Sequence, residues 1–131
     1  MMKADPVKLQ FDNQFVGELT SPTSTIKVGS QEQGIKPYHM LFGALGSCFY
    51  ATFLSIANKM RLTFEKAEIE INGSKRDETP ATLEYVKIEF TIYGGIDQTK
   101  LQKASELGAK YCSIHETVSK VAHIELIVLF K

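Results

Sequence analysis

Residues 37–60 read Pro37-Tyr38-His39-Met40-Leu41-Phe42-Gly43-Ala44-Leu45-Gly46-Ser47-Cys48-Phe49-Tyr50-Ala51-Thr52-Phe53-Leu54-Ser55-Ile56-Ala57-Asn58-Lys59-Met60, and this run decides the fold. Pro37 suits the first turn of a helix, where its missing N–H would be unpaired anyway. Beyond it, apolar residues fall on every side of the helical wheel, which is the pattern of a buried helix. A bilayer span is the rival reading, since about 20 apolar residues suffice to cross a membrane. The run is diluted by His39, Gly43, Gly46, Ser47, Ser55, Asn58 and Lys59, and amphipathic strands flank it. A long, buried, central helix fits better.

Upstream, Val7, Leu9 and Phe11 alternate with Lys8, Gln10 and Asp12, a half-buried strand by the period-two rule. Turn residues at Asp12-Asn13 and Ser21-Pro22-Thr23-Ser24 separate it from strands over Phe15 to Thr20 and Thr25 to Gly29. Downstream, Phe64 to Gly73 and Val86 to Ile92 alternate again and read as a long antiparallel hairpin with one wet face. Asp97 is a candidate N-cap for a helix carrying Leu101, Ala104, Leu107 and Ala109. Tyr111-Cys112-Ser113 interrupts that run, with Ser113 a candidate cap for a short helix through Val121, and Ile124 to Phe130 supplies the last strand. No repeat or linker divides the chain. The expectation is one α+β domain over residues 1–131, built from antiparallel sheets around the central helix.

The chain has 131 residues, enough to bury about two-thirds of its unfolded surface without a disulfide or structural metal. Fifteen basic residues balance fifteen acidic ones, so neither the basic surface of a nucleic-acid binder nor a general attraction to anionic membranes is expected. The N-terminal residues lack the apolar stretch of a signal peptide. Two cysteines are too few for a disulfide framework. A cytoplasmic location follows as the expectation, and there a thiol pair is more often reactive than structural.

Cys48 lies inside the central helix, where a free cysteine ordinarily serves as a small core hydrophobe. Gly43 and Gly46 point the other way. Each costs a helix about 1 kcal/mol relative to alanine, and such a cost inside a long helix marks close approach of another backbone or of a ligand. Cys112 sits at the break between two helical patterns, where a position at a helix N-terminus would favour its thiolate; packing beside Tyr111 and Ile114 is the alternative. The two cysteines are separated by 64 positions, so only the fold can bring them together. His39 precedes Cys48 by nine residues, about 13 Å along one helix axis and too far for a direct bond. His115 and His123 read as surface or strand-end residues. No C-x-x-C or H-x₃-H spacing supports a metal site, and no phosphate-cradling glycine motif is present. Neither a metal nor a cofactor is expected.

Taken together, Pro37 to Cys48, with its apolar run ending Ala44-Leu45-Gly46-Ser47-Cys48, resembles the helix signature of the osmotically inducible protein C and organic hydroperoxide resistance family. Lys59-Met60-Arg61-Leu62 is similar to its continuation, and Ala109-Lys110-Tyr111-Cys112-Ser113-Ile114 to its second-cysteine motif, in which proline commonly follows the cysteine. The resemblance covers nearly the whole chain. It implies an intertwined homodimer with long helices between antiparallel sheets, Cys48 as peroxidatic thiol and Cys112 as resolving thiol. It further implies an organic hydroperoxide as substrate, an external dithiol as reductant, and an apolar pocket drawn from residues such as Phe42, Phe49 and Met60. His39 and Phe49 are the substrate-binding candidates. Two departures stand out. Tyr38 and His39 occupy the helix start where the family carries a glutamate, and Arg61 and Arg76 are the only arginines, so none lies in the N-terminal region. Burial without a cation raises a thiol's pKa. A second reading therefore keeps the fold and drops turnover: a dimer that binds an apolar small molecule.

Overall fold

Three short strands begin the chain: β1 (Lys8–Phe11), β2 (Val16–Thr20) and β3 (Thr25–Gly29), antiparallel in the order β1-β2-β3. All of residues 1–131 are described in the structure, which is a computed structural model. The first turn is held by the Asp12 carboxylate, which accepts from Gln14 N–H at 2.8 Å, and the second by Ser21 Oγ, which accepts from Ser24 N–H at 3.1 Å. Gly29 ends β3 at φ +130°, where a Cβ would collide with the Phe15 carbonyl, so only glycine fits. Leu9, Leu19 and Ile26 stand opposite one another across the sheet.

The central helix α1 (Pro37–Lys59) follows. The chain divides into two compact units, residues 1–41 and 42–131. The division reflects local pairing: β1 to β3 hydrogen-bond among themselves and close their own short turns.

In the second unit, β4 (Lys66–Lys75), β5 (Leu83–Tyr93) and β6 (His123–Phe130) form a sheet in the order β4-β5-β6, and helices α2 (Gln98–Tyr111) and α3 (Ser113–Ser119) lie between β5 and β6 in sequence. β4 and β5 make the expected antiparallel hairpin. β6 joins β5 in parallel, so this sheet is mixed. The reason is topological. A parallel neighbour needs a crossover, and α2 with α3 supplies it.

Val86, Ile88, Phe90 and Ile92 of β5 are fully buried at every second position. Phe90 is the centre of this core, its ring meeting Phe49 edge-on at 5.0 Å and Phe53 at 4.8 Å. Burying each such side chain contributes about 1.5–3 kcal/mol relative to leaving it in water. On α1 the burial is confined to one stripe, Leu45, Gly46, Phe49, Phe53 and Ala57. Phe42, Tyr50, Leu54 and Ile56 remain half-exposed within the chain, although α1 is long and apolar enough to cross a bilayer. Opposite the stripe, α2 approaches so closely that a Cβ on Gly108 would lie 3.0 Å from Phe53 Cα. As expected, Asp97 caps α2, accepting from Lys100 N–H at 3.1 Å.

Candidate functional site

Cys112 lies where α2 stops and α3 starts. Its backbone is extended, at φ −75° and ψ 120°, so it closes one helix and opens the next. Its sulfur accepts from the His115 N–H at 3.3 Å and thereby caps α3. The sequence points to Ser113 as the cap, and the structure corrects this. The N-cap needs a non-helical backbone with an acceptor reaching the third N–H, and Cys112 meets both conditions. Ser113 becomes the first helical residue.

The fold brings Cys48 and Cys112 together although 63 residues lie between them, with both thiols free, Cys112 buried and Cys48 half-buried. Burial pushes the Cys48 thiol up, but hydrogen bonding from the Cys112 thiol, the Ile114 N–H, and the hydroxyl and N–H of Ser113 outweighs it and leaves Cys48 below the usual thiol range. Cys112 moves oppositely. Burial raises it first, and its own hydrogen bond to Cys48 raises it further, against the N–H groups of His115 and Ile114 that lower it. The pair therefore has an order of ionisation: Cys48 loses its proton first, and Cys112 keeps its proton and donates it to Cys48.

No charged side chain is among the groups acting on Cys48. Arg76 is occupied elsewhere, its Nε donating to the Pro80 carbonyl at 2.9 Å and a terminal nitrogen pairing with Glu78 at 3.3 Å. Neutral donors at the start of α3 thus act where a cation was expected to be needed, because backbone N–H groups in the first turn of a helix have no intrahelical acceptor. Sequence reading found both cysteines but missed Ser113 and Ile114. The signal was available: a residue just inside a helix that begins at a cysteine offers its N–H and side chain to whatever faces that cysteine.

The other candidates are placed elsewhere. His39 Nδ1 accepts from the Lys36 N–H at 3.0 Å, so the imidazole closes the first turn of α1 in the manner of a capping box. Phe49 is fully buried against Phe90, and its side chain belongs to the core. His115 is held neutral by burial, against the nearby Glu116, which favours its charged form. No three His, Cys, Asp or Glu side chains gather closely enough to hold a metal ion.

An open apolar groove of about 430 Å³ lies between α1 and β4, lined by Phe42, Gly43, Gly46, Ser47, Tyr50 and, from β4, Ile69 and Ile71. At 100° per residue, Cys48 sits roughly 100–160° around the helix from the α1 residues of this groove. Groove and thiol pair occupy different faces of one helix; of the expected pocket residues, Phe42 lines the groove and Phe49 lies in the core.

A sequence family described as OsmC-like protein matches residues 29–127. Protein YhfA of Escherichia coli K12 is 26% identical over 113 residues, which is 84% of each chain. The structure of an OsmC-like protein from Mycoplasma pneumoniae superposes with a TM-score of 0.87 at 19% identity, covering 99% of both chains. The organic hydroperoxide resistance protein OhrB of Bacillus subtilis superposes at 0.68 with 14% identity, covering 96% of this chain and 98% of that one.

Proposed function

Because the chain belongs to the OsmC-like protein family, we propose that it is a thiol-dependent peroxidase reducing organic hydroperoxides. The observation that carries this reading is a pair of free cysteines brought together by the fold, with Cys48 pushed below the usual thiol range and Cys112 above it. In the first step the Cys48 thiolate attacks the terminal oxygen of a hydroperoxide. The O–O bond breaks, the alkoxide takes a proton from solvent and leaves as alcohol, and Cys48 becomes a sulfenic acid. Cys112 is still a thiol at that point and adjacent. Its sulfur displaces hydroxide from the sulfenic acid, forming a disulfide and water. An external dithiol then returns both sulfurs to thiols by exchange and is itself oxidised to a disulfide. The likeness to OhrB, named for organic hydroperoxide resistance, agrees with this substrate class. We place the cycle in the cytoplasm, where reducing dithiols are abundant.

A homodimer is part of this reading. Val7, Leu9, Phe11, Phe15 and Ile26 are between 40% and 55% exposed, and a three-stranded sheet needs a covered apolar face for stability. A second copy of the chain is the cover we propose, and sedimentation of the purified protein at twice the chain mass is the expected result.

Peroxide chemistry is tested by adding an organic hydroperoxide, counting free thiols, and searching by mass spectrometry for a Cys48–Cys112 bridge. Peroxide-dependent bridge formation is expected. Equal hydroperoxide consumption by wild type and Cys48→Ser would end the proposal.

The groove supports a second reading, binding of an apolar small molecule without turnover, since it is lined mainly by carbon and lies away from the thiols. Ligand retained by purified protein, unaffected by alkylation of Cys48, would favour it.

A further inference from the structure

Helix α2 runs back along α1. Ile96, just before α2, donates its N–H to the carbonyl of Thr63, just beyond α1, at 3.3 Å. Further along, Gly108 lies so close that an added Cβ would come to 3.0 Å from the Phe53 Cα. From that contact Cys112 is four residues onward and Cys48 is five residues back on α1, about 6 Å and about 7.5 Å at the helical rise. Packing thus carries both cysteines to one level of the fold. They are not equally placed there. Cys112 is 0% exposed, closed in where α2 meets α3, whereas Cys48 is half-buried and keeps an open side. Anything that packs on the chain only adds cover, so Cys112 is the enclosed sulfur in any assembly. Its Sγ also has a donor of its own, the His115 N–H at 3.3 Å.

Resting on the peroxidase reading, we propose that the external dithiol attacks the oxidised pair at Cys48 Sγ, so that Cys48 carries the mixed disulfide with the reductant and Cys112 is the sulfur that leaves. Exchange at a disulfide depends on which sulfur can be reached and on which leaves more readily. Leaving-group strength alone argues the other way, because Cys48 is the more acidic thiol. Access overrides it: an entering sulfur approaches along the line of the S–S bond, and of the two only Cys48 has an open side. A reductant thiolate bonds to Cys48 Sγ, the Cys48–Cys112 bond breaks, and its electron pair goes to Cys112 Sγ. The departing sulfur is met by the His115 N–H, a first-turn donor with no acceptor inside α3, which bonds an anionic sulfur more strongly than a neutral one. Cys112 then takes the proton that the reductant's second thiol gives up. That second thiolate attacks the reductant's own sulfur in the mixed disulfide, closes the reductant's disulfide and expels Cys48 as thiolate, the form in which it meets the next peroxide. Peroxide and reductant therefore enter at one sulfur, and Cys112 reacts without leaving the interior.

The test maps the mixed disulfide in the unaltered protein. One sample is bridged with an organic hydroperoxide and another with diamide, which oxidises thiol pairs without peroxide chemistry. Each is given 2-mercaptoethanol, a monothiol that stops at the mixed disulfide, and is quenched by lowering the pH at successive times. Remaining thiols are blocked with N-ethylmaleimide, and the Cys48 and Cys112 peptides are read by mass spectrometry. At the earliest quench, mercaptoethanol on Cys48 with maleimide on Cys112 should exceed the reverse pattern by at least about tenfold, since access to the sulfur governs exchange. In urea both sulfurs are reachable, and the preference should collapse. Mercaptoethanol first on Cys112, equal shares on both, or a preference that persists in urea would overturn the inference, as would failure of diamide to form the bridge. A bridge made by diamide but not by hydroperoxide, with the adduct still on Cys48, would remove the peroxidase reading and leave the point of attack standing.

Discussion

One face of α1 carries Cys48 towards the start of α3, and another, with Gly43, Gly46 and Tyr50, lines the groove against β4. The two differ in what they offer a small molecule. The groove presents rings, methyl groups and glycine backbone, with the Ser47 hydroxyl donating to the Gly43 carbonyl at 2.7 Å and the Tyr50 side chain as its other polar group, so it suits mainly apolar matter. The thiol face places four neutral groups from three residues about one sulfur, the Cys112 thiol, the Ile114 N–H and the hydroxyl and N–H of Ser113. Volume and reactivity have been separated on one helix: the groove lies away from the thiols, and Cys48 lies where neutral donors gather. A site is located here by its donors, with cavity size a poor guide.

The largest expected effect comes from removing the nucleophile. Cys48→Ser should reduce peroxide-dependent thiol loss to background while leaving occupancy of the groove by an apolar dye unchanged. Loss of both would mean that the two faces are coupled and the separation is false. Next is Cys112→Ser, which keeps a side chain able to cap α3 but has no thiol to resolve a sulfenic acid. One oxidation of Cys48 per chain is expected without bridge formation, followed on further peroxide by sulfinic acid, a mass gain at Cys48 readable by mass spectrometry. Conversion to a disulfide in that variant could only be intermolecular and would show as a covalent dimer on a non-reducing gel.

The pH dependence follows from the directions of the two thiols. Cys48 ionises below the usual thiol range and Cys112 above it, so between their transitions the protein holds one thiolate and one thiol. Alkylation within that window should mark Cys48 alone, and Cys112 should become reactive only as pH rises further. A thiolate on Cys112 cannot donate to Cys48, so the ordering is maintained only while Cys112 keeps its proton. Simultaneous labelling of both from the lowest reactive pH would break the assignment of roles.

Much of this was legible in the residues themselves. Alternation at Val86, Ile88, Phe90 and Ile92 marked β5 because burial on one face of a strand repeats every second residue. The long helix was visible from Pro37 onward for the same kind of reason. Three things were not. The parallel pairing of β6 depends on where the crossover lands, and β6 shows its apolar alternation whichever way it runs. Which stripe of α1 the chain itself covers was not readable, because composition records that every side is apolar but not which side meets the core. The donors around Cys48 come from residues distant in sequence, and Ser113 read naturally as a cap until the structure showed Cys112 in that place. The glycines fall between these cases. Their cost to the helix was readable, but what approaches them was not.

Those glycines provide the smaller effects. Gly108→Ala would bring a Cβ to 3.0 Å from the Phe53 backbone, and backbone cannot yield as a side-chain end can. A loss of about 1–3 kcal/mol in urea unfolding is expected, the usual cost of forcing atoms into a filled interface. At Gly46 a Cβ meets the tip of Ile71 at 3.0 Å. Rotation of that side chain can relieve the contact at the expense of the groove, so the helix gain and the packing loss should roughly cancel.

Gly43 is the most instructive, because nothing lies within 4 Å of the position a Cβ would take. Within one chain, Gly43→Ala has only the helix-propensity term to act on, and should stabilise by about 1 kcal/mol. If a second copy or a bound apolar molecule packs closely on the groove, the added methyl meets it, and that gain is cancelled or reversed in the occupied state alone. Unfolding midpoints taken over a range of protein concentrations separate the cases. A concentration-independent gain means that Gly43 faces open space. A gain at low concentration that fades as concentration rises means that another copy of the chain closes over Gly43. In that event the groove is part of an interface and its present openness belongs to the isolated subunit. A deficit that appears only when an apolar ligand is added would assign the groove to that ligand. The sign of one methyl's effect therefore decides what the second face of α1 is for, independently of anything the thiols do.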